Sequence, residues 1–221
     1  MKKTTFLTIL LVGLFINTTL YATTFLDEVC EKQRCSSTSD EYKIGNISIS
    51  TEFYGPVDNE KDKYYSNYIH RACIKVKQEN KILWEYNEIL EANGGEVGLS
   101  EGVFTPDKMK IIFHVMGNYS NKLLIVSVDG SVDMIDGSNN YTLEDDGKLL
   151  FTSLIEDTPV GFQIYDFENK KVVFKTDKFI TQWSNKSNGV YDLQEQEWEE
   201  GTFKNYLLTI TANGININQV P

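Results

Sequence analysis

"FTPDKMKIIF", residues 104–113, leads into "KLLIVSVDGSVDMI", residues 122–135. The second stretch is two apolar runs around Asp129-Gly130, and Asp-Gly is a strong hairpin signal because both central residues of the turn need φ > 0. The same layout returns downstream, where "TLEDDGKLLF" (142–151) leads into "GFQIYDFENKKVVFKT" (161–176), turning at Glu168-Asn169. Upstream, "ACIKVKQENKILWEY" (72–86) turns at Glu79-Asn80, and "NYLLTITANGININ" (205–218) turns at Asn213-Gly214. Successive turns lie 50, 39 and 45 residues apart, and a period near 40 with a hairpin in each unit marks blade-like repeats. With 12 Tyr, 12 Phe and many Ile and Val in short runs cut by Gly, Asn and Asp, the chain reads as all-β.

The lead-in segments end on Phe113 and Phe151, 38 residues apart. A pattern F-[ST]-P-D-G-K-x-I-x-F followed by a hairpin resembles the repeat of TolB-type and WD-type β-propellers. "FTPDKMKIIF" keeps Phe104, Pro106 and Asp107 and lacks the Gly; "TLEDDGKLLF" keeps Asp146-Gly147-Lys148 and lacks the Pro. "QWSNKSNGVY" (182–191) is a degenerate third copy. The resemblance covers residues 44–218 and implies a small propeller-like arrangement of about four hairpin or blade repeats. Four units leave a closed ring, an incomplete one and a two-sheet arrangement open.

Ahead of the repeats, "MKKTTFLTILLVGLFINTTLYA" has two lysines, an apolar core and a small residue at Ala22, the layout of a secretory signal peptide cleaved to leave Thr23 first. Its strongly apolar core, Phe6 to Phe15, is about half the ~20 residues of a spanning helix, and "DEVC" before Cys30 lacks the small residues that lipid attachment requires. The expected organisation is a signal peptide at 1–22, a short N-terminal helix and linker at 23–43, and a propeller-like domain at 44–221. The protein is expected in the periplasm or outside the cell, with no membrane insertion after cleavage. Thr24 with Asp27 resembles a capping box, and Leu26, Val29, Cys30 and Gln33 share a face, which predicts the helix at 23–35. A second short helix is predicted over Tyr86–Ala92, before the break at Asn93-Gly94-Gly95.

Three cysteines in an oxidising compartment leave one over. Cys30 and Cys35 can bridge if the helix stops near Arg34, which the Ser36-Ser37-Thr38-Ser39 run favours; Cys73, in the strand pattern "RACIKVK", is then a buried spare.

Candidate chemistry is thin. Gly98-Leu99-Ser100-Glu101-Gly102 matches the G-x-S-x-G nucleophile elbow, which needs a strand before the serine, a helix after it, and later Asp and His partners. The residues after Ser100 read as a turn entering a strand, and His114 is the one histidine beyond it, so the glycines are read as serving a tight turn between blades. His70 and Cys73, three apart, fall on opposite faces of a strand. Two histidines and no His/Cys cluster give no zinc site. "DGSNNYTLEDDG" (136–147) begins like a calcium loop, but lacks the Gly at its sixth position and has Gly147 where a bidentate Glu belongs, so no cofactor is expected.

The remaining signal is surface. The net charge is −11 and becomes −13 when Lys2 and Lys3 leave with the signal, which excludes nucleic acid and favours a basic protein partner. "DLQEQEWEEGTF" (192–203) sets Trp198 among Glu195, Glu197, Glu199 and Glu200; as an alternating strand it would show the glutamates on one face and Leu193 with the glutamines on the other. "FYGPVDNEKDKYYSNY" (53–68) adds Tyr54, Tyr64, Tyr65 and Tyr68. An aromatic anchor within acidic residues suits a basic, partly apolar protein. The expectation is a periplasmic or secreted, non-catalytic protein-binding module, in its finest form an immunity protein that neutralises a basic cell-wall-degrading effector. The alternatives are an envelope-assembly or carbohydrate-binding propeller module, and a hydrolase with a carboxylate pair.

Overall fold

The computed structural model describes residues 35–56, 67–93, 97–117, 121–155, 159–197 and 201–220. They form four antiparallel sheets in chain order. Sheet 1 holds β1 (Cys35–Ile44), β2 (Ile47–Pro56), β3 (Asn67–Gln78) and β4 (Lys81–Asn93). Sheet 2 holds β5 (Gly98–Leu99), β6 (Val103–Phe104), β7 (Lys110–Met116), β8 (Asn121–Ser127) and β9 (Val132–Asp136). Sheet 3 holds β10 (Tyr141–Glu144), β11 (Leu149–Ile155), β12 (Pro159–Asp166) and β13 (Lys171–Thr176). Sheet 4 holds β14 (Ile180–Ser187), β15 (Val190–Gln196), β16 (Phe203–Thr211) and β17 (Gly214–Val220). Each is a meander of hairpins, so the chain is all-β and propeller-like. Both β5 and β6 pair with β7, so they are two halves of a split first strand, and sheet 2 then matches the other three.

The hairpin signals place the turns. Glu79-Asn80 joins β3 to β4, with Gln78 opposite Lys81. Asp129-Gly130 and Glu168-Asn169 lie in the turns of sheets 2 and 3. In sheet 4 Thr211 pairs with Gly214, so Ala212-Asn213 makes the turn and Gly214 opens β17. Residues 35–43, read from sequence as linker, belong to β1, which pairs with β2 along its whole length through a Gly45-Asn46 turn. The helix expected over Tyr86–Ala92 is instead the second half of β4. "YNEILEA" is rich in helix formers, but local propensity yields to pairing with β3, which sends Tyr86 and Leu90 (6% and 5% exposed) into the core. Residues 23–34, with Cys30, lie outside the described residues; Cys73 is a buried free thiol.

Packing is set by which faces are apolar. Ile47, Ile49, Ile74 and Val76 of sheet 1 meet Ile111, Phe113, Leu124 and Val126 of sheet 2. The opposite face of sheet 2, with Ile112, Leu123 and Ile125, meets Leu150, Tyr165 and Phe167 of sheet 3. The far face of sheet 3, with Phe151, Phe162 and Ile164, meets Tyr191, Leu193, Tyr206 and Leu208 of sheet 4. Among the described residues, no apolar cluster joins sheet 4 back to sheet 1. The apolar clusters therefore link the described sheets in the order 1, 2, 3, 4, and the residues on the far faces of the two end sheets are mostly polar.

This packing also sets the register of the repeat. Phe113 faces back toward sheet 1, whereas Phe151 faces forward to sheet 4. They are not equivalent positions; a slip of one residue reverses a strand's faces. Aligning the two segments on Asp107 and Asp146 instead matches Phe151 with Ile112, and both face forward. Lys108 occupies the place of the repeat's glycine and adopts φ +56°, the left-handed conformation that glycine adopts most easily.

Candidate functional site

The split in the first strand of sheet 2 explains the G-x-S-x-G match. Between β5 and β6 the chain steps away from β7, and Ser100 fills the gap. Its N–H donates to the His114 carbonyl at 2.9 Å, and its Oγ accepts the His114 N–H at 2.8 Å. Gly102 donates its N–H to the Tyr42 hydroxyl at 3.0 Å, and a Cβ there would fall 2.5 Å from Ile111 Cδ1. The serine is thus a backbone clasp inside one strand, rather than part of a turn between blades. Ser100→Ala would strand a part-buried N–H; it is expected to lower stability by about 1–2 kcal/mol in urea unfolding and to leave binding unchanged.

His114 points its ring to the other face, toward sheet 3, where it is 5% exposed and its Nε2 lies 3.1 Å from Asn121 Oδ1. Burial holds its pKa below the ordinary 6.5, against the opposing effect of the Asn121 contact. The unfolded chain then binds a proton that the folded chain resists, so stability is full above pH 6.5 and falls as the pH drops below it. Urea midpoints between about pH 7.5 and 5 should show this limb, and His114→Gln should flatten it. A separate loss belongs to Asp107 and Asp129, held below the usual carboxylate value by the Thr105 and Ser131 hydroxyls; it appears only at pH below about 3.8.

The acidic segment differs from expectation. Glu195 shares a face with Leu193, two residues away in β15, and not with an opposed glutamate face. Its Oε2 accepts the Tyr206 hydroxyl at 2.6 Å and lies 3.8 Å from Lys178 Nζ. Lys178 also donates to the Tyr206 hydroxyl and sits over its ring, which raises the lysine's pKa. Glu197 is held by Lys204 and by the Thr202 hydroxyl. With side chains only 16% and 28% exposed, these two glutamates are internally paired and do not form a free acidic patch. Trp198, Glu199, Glu200, Tyr64 and Tyr65 lie outside the described residues; Tyr54 is half-buried in β2. The calcium-like loop connects sheets 2 and 3. Its Asp136 pairs with Lys122 at 2.5 Å, and Asn140 Nδ2 donates to Ser153 Oγ and the Thr181 carbonyl.

A surface that sequence reasoning missed lies along the first strands. Neighbouring first strands approach one another: the Tyr42 hydroxyl meets Gly102, and Trp183 Nε1 donates to Thr142 Oγ1 at 2.6 Å. The turn after β6 touches the Asp145–Gly147 turn, where a Cβ on Gly147 would sit 2.9 Å from Pro106 Cδ. Val103 and Phe104, on opposite faces of β6, and Met109 in the turn before β7 are 46%, 40% and 45% exposed. Glu101, Asp145 and Asp146 are exposed at this end of the sheets, as is Lys108, and Lys148 pairs with Asp145. No sequence signal marked this surface: β6 is only two residues long, too short to bury its side chains under a neighbour, and the structure alone shows this.

No known protein family and no curated protein matches the chain. Similar solved structures include the Pyrococcus horikoshii acylaminoacyl peptidase, 12% identical over 84% of this chain and 33% of that one, with a TM-score of 0.40. The β-propeller domain of the Pyrococcus furiosus Trilobed protease is 15% identical over 85% of this chain and 57% of that one (TM-score 0.40). TolB from Acinetobacter baumannii is 9% identical over 84% and 57% (TM-score 0.38). The chain thus spans between a third and three-fifths of the length of these proteins. Among the described residues, no helix is long and apolar enough to cross a membrane.

Proposed function

We propose that the chain is an exported, non-catalytic protein-binding module that holds a basic partner against the wall of first strands. The observation that supports this reading is the exposure of Val103, Phe104 and Met109 along the first-strand edge of sheet 2, in a chain of net charge −11. An aromatic side chain that becomes desolvated on docking supplies affinity, and surrounding carboxylates speed the approach of a cationic surface. The finer reading is an immunity protein that blocks a basic cell-wall-degrading effector; export is supported by the lysine-led apolar segment ending at Ala22.

The test is kinetic, on the partner that co-purifies with the tagged mature chain from periplasmic extract. Phe104→Ala should raise the off-rate, and Asp145→Lys with Asp146→Lys should slow association and weaken its salt dependence. Unchanged kinetics in both variants would move the interface off this wall. If the partner is a lytic enzyme, the mature chain should inhibit it at equimolar concentration.

A further inference from the structure

We infer that the outer face of sheet 4 is a binding site for an uncharged oligosaccharide. This goes beyond the protein-binding reading and uses a different surface. The face carries a hollow of about 410 Å³, within the range of small-ligand sites. One cross-strand row in it runs Gln182–Gln194–Asn205–Val220, and the next runs Ser184–Asp192–Leu207–Asn218. Among the described residues of these rows the carboxylate is Asp192, answered by Lys186 at 3.2 Å. In a strongly acidic chain the described rows of this face are therefore neutral, so they attract neither a basic protein nor an anion by charge. Its functional groups are primary amides, each presenting a donor and an acceptor in one plane. That is the complement of adjacent sugar hydroxyls, which also donate and accept. Gln194 and Asn205 approach only to 3.5 Å, leaving most of their hydrogen-bonding capacity open.

Phe203 supplies the apolar half of the site. It lies on the same face, paired with Gln196 one row beyond the amides, and is 53% exposed. A flat exposed ring suits the C–H face of a pyranose. The rows are about 7 Å apart along the strand, so the ring and the amides would read neighbouring sugars, and the ligand has at least two units. A second copy docking through the far face of sheet 1 fits poorly, because that face carries Lys43, Lys75, Lys77 and Glu85.

Titration calorimetry of the mature chain with the tetramers of N-acetylglucosamine and of glucose tests the site. At least one should bind with a Kd on the order of 0.1 mM. Between about 50 and 500 mM salt the affinity should change less than about twofold, since no charge is involved. Asn205→Ala and Phe203→Ala should each weaken binding about tenfold or more, while Phe104→Ala on the first-strand wall leaves it unchanged. All three positions are on the surface, and thermal melts should stay near wild type. Absence of binding by either sugar up to about 10 mM, indifference to both sheet-4 variants, or loss of binding in high salt would overturn the assignment. So would capture of a protein partner that Phe203→Ala and Asn205→Ala release.

Discussion

Phe151→Ala is expected to remove about 3–5 kcal/mol of stability, a large share of the 5–15 kcal/mol typical of a whole domain. Phe151 is fully buried where sheet 3 meets sheet 4. Its ring lies 4.8 Å from Tyr191 and 5.6 Å from Phe162, centroid to centroid, with Trp183 at 6.5 Å. Because sheet 4 is the end of the row, this aromatic group and a few hydrogen bonds hold it in place; the Ser153 hydroxyl on the Ile180 carbonyl at 2.7 Å is one. The cavity would therefore weaken one sheet more than the rest. Urea unfolding should show sheet 4 releasing ahead of the other three, with hydrogen exchange accelerated first in β15 and β16. A loss below about 1 kcal/mol, or uniform exchange, would mean that the end sheet is held by something other than this cluster.

Gly161→Ala should be at least as damaging, for a different reason. Gly161 has φ +132°, and a Cβ built there falls 1.9 Å from the Thr176 carbonyl oxygen. That oxygen belongs to the backbone of a paired segment and cannot rotate aside, so either the β12–β13 pairing opens or β12 moves off sheet 4. The expected cost exceeds about 4 kcal/mol. Gly214→Ala is the internal control: φ is +134°, nearly the same, yet nothing lies within 4 Å of the added carbon. It should cost only the conformational strain, about 1–3 kcal/mol. Similar losses in the two variants would show that backbone conformation, and not the clash, dominates at Gly161.

The fold is largely legible in the sequence because hairpin turns are local. Glu79-Asn80, Asp129-Gly130 and Glu168-Asn169 each carry their geometry in a few residues. β1 escapes a sequence reading because "SSTSDEYK" has little strand propensity of its own and is held by pairing with β2, a non-local cause. The second half of β4 escapes it for the same reason. The order of packing is written in the pattern, though only the structure makes it plain. "KIIFHVM" and "NKLLIVS" are nearly continuous apolar runs, as strands buried on both faces must be, whereas "ISISTEF" and "GININQV" alternate. Closure into a ring would need continuous runs in every unit. The binding surfaces are less legible still. Glu195 and Glu197 look free in sequence because the pairing that brings Lys178 and, across the β15–β16 hairpin, Lys204 to them is formed only on folding. Phe104 looks like core because only the structure shows how little of it is covered.

The polar faces at the two ends also constrain how such a protein can grow. A unit of about 40 residues inserted between sheets 2 and 3 would meet apolar surface on both sides and could be absorbed, lengthening the row. The same unit fused beyond sheet 4 would meet glutamine and asparagine, and ahead of sheet 1 it would meet lysine and glutamate. Enlargement by duplication would therefore meet apolar partners in the interior and polar ones beside either end sheet. In such growth the end sheets would serve as caps, and the middle is where repeats would be added.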